Sequence, residues 1–286
     1  MEITPVSATQ PFQQVAKIQV RLCRIWKTKY QNDENEVKSV DCVMVDVQGT
    51  GIRAMIELRI EPLFMPKLIP STFYEIQEIV AVRNRKFNIV VSHEAMLEFR
   101  RNIKVKENEY DGPAMPIHFF NFIKYENIAA SNDGQLKDVI EYLEGIQQVQ
   151  RHSCKRNQIE DKMEFILMDD RKNKARVTLW ASYVRTFDQQ ILQAQSHPII
   201  VVFTSVKPTD FQGGNIPSLN NSNSTMILFN PEIRLVAHYK QIFSSSTGIK
   251  ILPSLPSPNA GVGGIQHLQK KSLEELLLLN PNDNQV

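Results

Sequence analysis

Cysteine is scarce in this chain of 286 residues, and Cys23, Cys42 and Cys154 lie far apart. No Cys-x-x-Cys motif is present, so neither a disulfide framework nor a cysteine-based zinc site is available. The six histidines form no HExxH pair, and neither GxSxG nor the phosphate-binding GxxxxGKS occurs. These absences predict an intracellular protein that is not an enzyme and holds no metal or cofactor.

Long apolar runs and an excess of one charge are also missing. No apolar run approaches the ~18 residues that a membrane span needs, and residues 1–12 lack the basic and apolar regions of a secretory signal. The chain carries 33 Lys and Arg residues against 31 Asp and Glu residues, a net charge of +2. A nucleic-acid groove would therefore have to come from charge that is sorted locally rather than from a bulk excess.

Short apolar runs separated by polar turns fill most of the chain, and 42% of the residues are hydrophobic, which suffices for a sizeable core. Alternation with a period of two predicts strands at 16–26, 39–46, 52–56, 74–83 and 87–91. Pro62 and Pro66 limit the stretch at 58–68 to a short helix. A helix between the third and fourth of five strands favours the oligonucleotide/oligosaccharide-binding barrel, the OB fold.

The same order then repeats. Strands are predicted at 163–168, 175–180, 199–206 and 215–228, with a helix at 183–194. Asp46 and Arg53 in the first copy correspond to Asp169 and Arg176 in the second, and such a repeat indicates duplicated domains. Residues 136–149 have helical spacing, but the repeat requires a strand at about 139–148, and we follow the architecture.

The predicted fold is all-β, with two tandem five-stranded OB-fold barrels that each carry a short helix. We expect the first domain at 1–108, a linker at 109–117 and the second domain at 118–243. A Ser/Pro/Gly-rich flexible linker at 244–271 follows. Residues 272–286 hold an S-x-x-E pattern that resembles a capping box and four consecutive leucines, which together predict a short C-terminal helix and tail.

Single-stranded nucleic acid is bound by a basic groove and by exposed aromatic rings on which bases stack. Aromatic residues stand beside basic ones at four places in this sequence. The candidates are Trp26, Arg85, Lys86, Phe87, Arg176, Trp180, Lys207 and Phe211. Each ring could instead belong to the core, and for Trp180 the two interpretations are evenly balanced. Asp169 and Asp170 are better explained as turn residues than as metal ligands.

The chain resembles the large subunit of replication protein A, in its plant and helitron-associated branch, over about residues 12–243. The resemblance rests on IRA at 52–54, NRKF at 84–87, RVTLW at 176–180, DFQGG at 210–214 and NPEI at 230–233. It implies stacking on Trp180 and Phe211, phosphate contact by Lys207, and in the first domain a groove base at Arg53 with Phe87 as a stacking ring. Glu57 stands where the first stacking residue of that domain is expected, which implies weaker binding there.

The resemblance implies a nuclear protein that binds single-stranded DNA without sequence preference in replication, repair or recombination. RNA binding and pathway are left open. The family's zinc-bearing third domain is not recognised in this sequence, which leaves assembly with other replication protein A subunits in doubt. The alternative is an interaction scaffold of OB folds that has lost most DNA binding, which Glu57 and the near-neutral charge support.

Overall fold

The computed structural model describes residues 2–30, 36–110, 112, 115–128, 134–153, 159–209, 216–246 and 248–252. Within these ranges the chain forms two closed β-barrels with short helices. No helix among the described residues is long and apolar enough to cross a membrane. The predicted stacking residue Phe211 and the predicted C-terminal helix at 272–286 lie outside the described residues.

The first barrel is built from strands whose alternate residues face a common core. Its strands are β1 (Gln14–Lys29), β2 (Val37–Val45), β3 (Gly51–Glu57), β4 (Phe73–Arg83), β5 (Ala95–Glu98) and β6 (Lys104–Glu107). The order β1-β2-β3-β5-β4 closes through a β1–β4 pairing, and β3 and β5 are parallel. Helix α1 (Glu61–Phe64) and a 3-10 turn at Met65–Lys67 follow β3, and the ring of Phe64 packs edge-on against Phe99. This ring order is that of an OB fold.

The second barrel repeats this order. Its strands are β7 (Lys137–Gln147), β8 (Gln150–Ser153), β9 (Ile159–Met168), β10 (Lys174–Trp180), β11 (Ile200–Thr209), β12 (Ser218–Asn220), β13 (Ile227–Phe229) and β14 (Lys250–Leu252). The ring β7-β9-β10-β12-β11 closes through β11–β7, with β10 and β12 parallel. The expected fold of two tandem OB barrels is therefore confirmed.

The hairpin that opens each third strand is stabilised in the same way. The Asp46 carboxylate accepts hydrogen bonds from the backbone N–H groups of Gln48 and Thr50 at 3.0 and 2.9 Å. Asp169 accepts equivalent bonds from Arg171 and Asn173 at 2.9 and 2.7 Å. Asp169 is thus occupied by turn hydrogen bonds, as expected for a side chain that closes its own turn.

Strand β7 shows why its sequence has helical spacing. Val139 and Leu143 face the barrel core, whereas Ile140 and Tyr142 lie in a second apolar cluster outside it. That outer cluster is covered by helix α5 (Arg234–Ile242), which the sequence analysis did not predict. A strand that is buried on both faces loses the alternation of a half-exposed strand, so the architectural argument gave the correct structure.

One predicted strand of the first barrel is wrong. Residues 87–91 form a loop rather than a strand, and the fifth strand of the barrel is β5. The Asn84 side chain closes this loop by donating to the carbonyl oxygens of Val91 and His93 at 3.0 and 2.8 Å. Val91 is buried in a cluster outside the first barrel's core, which explains the apolar run without a strand.

Three other predicted segments differ in detail. The helix expected at 183–194 is split into α3 (Ser182–Thr186) and α4 (Gln189–Gln193), where Asp188 caps α4. The described part of the return at 215–228 carries the short strand β12 and the start of β13. Strand β14 lies inside the stretch predicted as a flexible linker, where it pairs in parallel with β7. A further short helix, α2 (Tyr125–Ile128), precedes β7.

A buried ion pair joins the two barrels. Arg24 on β1 lies with its Nη1 atom 3.9 Å from Asp138 Oδ1 on β7, and its Nη2 donates to Ser205 Oγ on β11 at 3.1 Å. Asp138 also accepts the backbone N–H groups of Asn121 and Ser205 at 2.6 and 2.7 Å. Burial raises the pKa of Asp138 and lowers the pKa of Arg24, although each group's charge partly offsets the other's shift. The two barrels therefore share a desolvated contact.

The segment between the barrels covers part of the first barrel's outer surface. The Phe119 ring lies so close to Gly51 that a Cβ atom there would sit 2.5 Å from it. Met115, Phe119 and Leu136 pack with Val43 in the same cluster. Ile89 also forms a parallel bridge with Gln135. One end of the first barrel's outer face is consequently occupied by the chain itself.

Candidate nucleic-acid interface

The outer faces of β9 and β10 carry the predicted residues of the second barrel. Because β-strand side chains alternate, Phe165, Val177 and Leu179 point into the core, whereas Arg176 and Trp180 lie on the opposite face. The registers place Lys162 across from Trp180 and Ile166 across from Arg176. These strands correspond to the second and third strands of an OB fold, whose outer face binds oligonucleotides in other OB-fold proteins.

Trp180 is partly buried and held by side chains of the neighbouring strand. Its indole Nε1–H donates to Asn220 Oδ1 at 3.2 Å, and its backbone N–H donates to Asn221 Oδ1 at 2.8 Å. His152 on β8 approaches the indole edge-on, with 5.5 Å between ring centroids. The indole is therefore fixed at the end of β10, outside the apolar core cluster of the second barrel.

Basic and acidic side chains meet on this face. Glu164 is nearly buried and lies 2.9 Å from Lys162 Nζ and 3.6 Å from Arg176 Nε. One carboxylate is thus shared between two cations, which leaves a surplus positive charge. The Arg176 side chain is 21% exposed. Arg176 is therefore anchored to the floor of the face rather than extended into solvent.

Lys207 is exposed on β11, directly across from Asn220 in the β11–β12 register. Asn220 on β12 also binds the Trp180 indole, so β12 alone separates Lys207 on β11 from the stacking candidate on β10. Three of the four residues predicted for this barrel, Arg176, Trp180 and Lys207, therefore share one surface. Phe211, the fourth, falls in 210–215 between β11 and β12, outside the described residues.

In the first barrel the structure places Arg53 differently from the expected groove contact. Its side chain is only 2% exposed and forms an ion pair of 3.0 Å with Asp41, which is fully buried. A phosphate cannot reach the guanidinium in this arrangement. Arg53 instead lies beneath the Trp26 ring, 5.7 Å from the ring centroid. Arg53 therefore packs beneath the Trp26 ring and is not exposed to a ligand.

Trp26 is partly buried on β1, opposite Asp41 in the β1–β2 register. Its Nε1–H donates to Thr28 Oγ1 at 3.1 Å, and the Thr28 hydroxyl in turn donates to Asp41 Oδ2. Arg85 is partly exposed and lies 3.7 Å from the same Asp41 oxygen. Trp26, Arg53 and Arg85 therefore surround one carboxylate.

Lys86 and Phe87 lie in the loop between β4 and β5, and both are exposed. Phe87 is 76% exposed, more than any other described aromatic residue except Phe12, which is equally exposed. A ring this open adds little to the core, and its role in stacking stays a prediction.

Glu57 is the last residue of β3, as Trp180 is the last residue of β10. Glu57 and Trp180 therefore occupy equivalent strand positions, and the role of that position in stacking stays a prediction. Glu57 is 52% exposed, and its carboxylate lies 3.2 Å from Arg59.

The sequence analysis missed residues that the tertiary structure adds to these surfaces. Tyr30 is 45% exposed just beyond β1, and Lys38 Nζ lies 5.8 Å from its ring. The position of Tyr30 next to Lys27 and Lys29 in the sequence could have identified it, because the other candidates were chosen as aromatic residues beside basic ones. Asn220 and Asp41 carried no such signal, because their roles depend on pairing between strands.

Two family models and several curated proteins are similar to this chain. The model of the replication protein A OB domain matches residues 125–230, and that of a domain of unknown function, DUF223, matches 7–131. A 70 kDa DNA-binding subunit of replication protein A from Arabidopsis thaliana is 23% identical over 88% of this chain and 41% of the relative. Replication factor A protein 1 of Schizosaccharomyces pombe is 24% identical over 78% of this chain and 36% of the relative.

A solved replication protein A heterotrimer bound to single-stranded DNA has a similar fold, with a TM-score of 0.59 and 19% identity. The match covers 87% of this chain and 57% of that chain. This chain spans about two-fifths of the length of the curated relatives named above. The repeated barrel order, the match of the second barrel to the replication protein A OB domain and these relatives agree: the chain is similar to replication protein A large subunits across both barrels.

Proposed function

We propose that this chain binds single-stranded DNA without sequence specificity, by stacking bases on exposed rings and contacting the backbone with basic side chains. The observation that carries the proposal is the surface of the second barrel on which Trp180, Arg176 and Lys207 come together. Ring stacking tolerates any sequence because every base has a flat face. The role needs no catalytic step, and the relatives compared above are named as DNA-binding subunits or replication factors.

The first barrel contributes a second, weaker site in this proposal. Trp26 and Phe87 offer rings, and Arg85 and Lys86 offer cations, but Glu57 removes one stacking position. Because the barrels are joined by the Arg24–Asp138 contact, binding of a strand at one site raises its effective concentration at the other. Even a weak first site therefore strengthens binding to a long strand.

The test is a fluorescence-anisotropy titration of a labelled oligo-dT of about 30 nucleotides, at two salt concentrations, against a duplex of equal length. We expect binding to the single strand alone, with an affinity that falls as salt rises because counterions are released. Trp180→Ala should weaken this binding roughly 5- to 150-fold, the equivalent of about 1–3 kcal/mol of stacking.

Two matched variants separate binding from folding. Tyr239→Ala removes another partly buried ring, on α5, outside the proposed surface, and should leave oligo-dT affinity unchanged. Lys207→Glu should weaken binding, whereas Lys67→Glu, at another exposed lysine just after α1, should not. If Trp180→Ala lowers only the melting temperature, Trp180 is a core residue. If the unaltered chain does not bind oligo-dT at low salt, the scaffold alternative replaces the proposal.

The proposal also covers the cellular role and the partners of the chain. A protein that binds single-stranded DNA would protect it during replication, repair or recombination, and we therefore propose a nuclear location. A competing oligo-U of equal length measures whether RNA is bound as well. Co-purification with the other replication protein A subunits tests whether the chain assembles with them.

A further inference from the structure

The floor of the first barrel's surface is organised around one buried carboxylate. Asp41 is fully buried, yet it lies on the outer face of β2, away from the core residue Cys42. Its Oδ2 atom accepts the Ser39 hydroxyl at 3.2 Å and lies 3.0 Å from Arg53 and 3.7 Å from Arg85. A buried charge of this kind needs several partners to offset its desolvation.

Arg53 and a further partner of Asp41, Thr28, also hold the Trp26 ring. Arg53 lies under the ring face, and the Thr28 hydroxyl accepts the indole N–H while donating to Asp41. Trp26 is thus fixed both at its face and at its nitrogen, and both contacts end on Asp41. A ring held in this way is ordered before any ligand arrives, so less freedom is lost when a base stacks on it.

The second barrel carries a related pair at the same positions. Arg53 is the third residue of β3 and Arg176 the third of β10, and each faces an aliphatic residue, Val43 or Ile166, on the preceding strand. The acidic residue two positions before that aliphatic residue is Asp41 in one barrel and Glu164 in the other, and each lies near its arginine. The pair is thus a repeated feature of both surfaces.

We propose that Asp41 is a positioning residue, which fixes the Trp26 ring through Arg53 and Thr28 as the base-stacking platform of the first barrel. This inference rests on the proposed function, because it assigns a role within the same DNA-binding surface. Asp41 itself touches no ligand. The sum of the Asp41, Arg53 and Arg85 charges is one positive unit, and Arg85 is the more exposed of the two cations.

The test uses the full chain with Trp180→Phe, which leaves Trp26 as its only tryptophan because the sequence contains two. Asp41→Asn and Thr28→Val are compared with Asp46→Asn in this background. Asp46 is a matched control, since it is also buried, just beyond the end of β2, but hydrogen-bonds the turn backbone instead. The readouts are the emission maximum and anisotropy of Trp26 without DNA, and affinity for an oligo-dT of about 30 nucleotides.

Two roles of Asp41 predict opposite changes in oligo-dT affinity for Asp41→Asn. Affinity rises if Asp41 acts only through its negative charge, and it falls if Asp41 positions the Trp26 ring. Removing a negative charge near a DNA strand strengthens binding by itself. If Asp41 positions the ring, affinity should instead fall by about threefold to tenfold, the effect of one lost hydrogen bond. Trp26 anisotropy should fall and its emission should shift to longer wavelength. Thr28→Val should change both Trp26 signals in the same direction, and Asp46→Asn should change neither.

An Asp41→Asn protein that binds as tightly as its parent, or more tightly, overturns the inference, and so does unchanged Trp26 anisotropy. If Asp41→Asn does not fold by circular dichroism, Thr28→Val decides by the same two criteria. Absence of oligo-dT binding by the Trp180→Phe parent and the unaltered chain would count against the proposed function. The Trp26 signals without DNA would still show separately whether Asp41 holds the ring.

Discussion

Arg24 and Asp138 form a buried ion pair between the barrels. We expect substitution of Asp138 to lower the free energy of unfolding much more than substitution of Arg24. Asp138→Ala removes two hydrogen bonds from backbone N–H groups and leaves the Arg24 guanidinium, 5% exposed, without its counter-charge. Removing one partner of a buried pair in this way costs about 3–5 kcal/mol. For a domain of about 150–250 residues, that corresponds to a fall in melting temperature of about 6–20 °C.

Arg24→Met should cost much less. It leaves Asp138 with both backbone N–H donors, and it removes a guanidinium whose Nε and Nη1 atoms have no hydrogen-bond partner among the described residues. Methionine fills a similar volume with an apolar chain, and the Asp138 carboxylate that remains still accepts two backbone hydrogen bonds, so no buried charge is left without a partner. We expect a loss of about 1.5 kcal/mol in the free energy of unfolding, the lower bound for one hydrogen bond to a charged group, here the bond from Arg24 to Ser205.

Thermal unfolding followed by circular dichroism measures both variants, with Asp170→Ala as an exposed acidic control on the β9–β10 hairpin. That control should change the free energy of unfolding by no more than about 0.5 kcal/mol. Equal losses for Asp138→Ala and Arg24→Met would show that the backbone hydrogen bonds do not stabilise the carboxylate. A loss below about 1 kcal/mol for Asp138→Ala would refute the buried contact between the barrels.

Three further predictions concern pH, a buried hydroxyl and an exposed ring. Burial raises the pKa of Glu141, beside Tyr239, from 4.5 to about 8; the folded chain then keeps a proton that the unfolded chain loses, so stability should fall between pH 5 and 8 by up to about 1.4 kcal/mol per pH unit. Glu141→Gln should flatten this part of the profile of melting temperature against pH, and an unchanged slope would exclude Glu141 as its source. Tyr74→Phe should destabilise the first barrel by about 1–3 kcal/mol in urea unfolding, since the buried hydroxyl accepts the Ile69 N–H at 2.7 Å and donates to the Lys67 carbonyl at 2.8 Å; a neutral result would mean that water replaces it. Phe87→Ala should leave the melting temperature unchanged, because the ring is 76% exposed, but should weaken oligo-dT binding by about 1–3 kcal/mol, and equal affinity would remove Phe87 from the surface.

The two candidate surfaces differ in where they carry an aromatic ring. In the second barrel the stacking candidate ends the third strand, and Lys207 lies one strand beyond its Asn220 partner. In the first barrel the corresponding position is Glu57, and the held ring is Trp26 on the first strand. Both barrels thus carry an arginine–carboxylate pair at equivalent positions, whereas the held aromatic ring lies on the first strand of one barrel and on the third strand of the other.

Local sequence determined the elements whose signal lies within a few residues. Alternation fixed most strands, since it follows from the two faces of a β-strand. The aspartates at 46 and 169 stand at corresponding places in the repeat because each closes its own turn. The repeat of these signals was sufficient to predict two OB barrels. Basic residues beside aromatic ones also identified Trp180, Lys207 and Phe87, which the structure places at partly or fully exposed positions.

Some side chains that point away from the barrel core are nevertheless buried by other parts of the chain, and only the tertiary structure decided which ones. Arg53 has the sequence context of an exposed groove residue, yet Asp41, twelve positions away, draws it into the floor beneath Trp26. The loop at 87–91 has the composition of a strand, but its valines are buried by the segment between the barrels. Such burial depends on partners from distant parts of the chain, whereas alternation and turn chemistry are written into neighbouring residues.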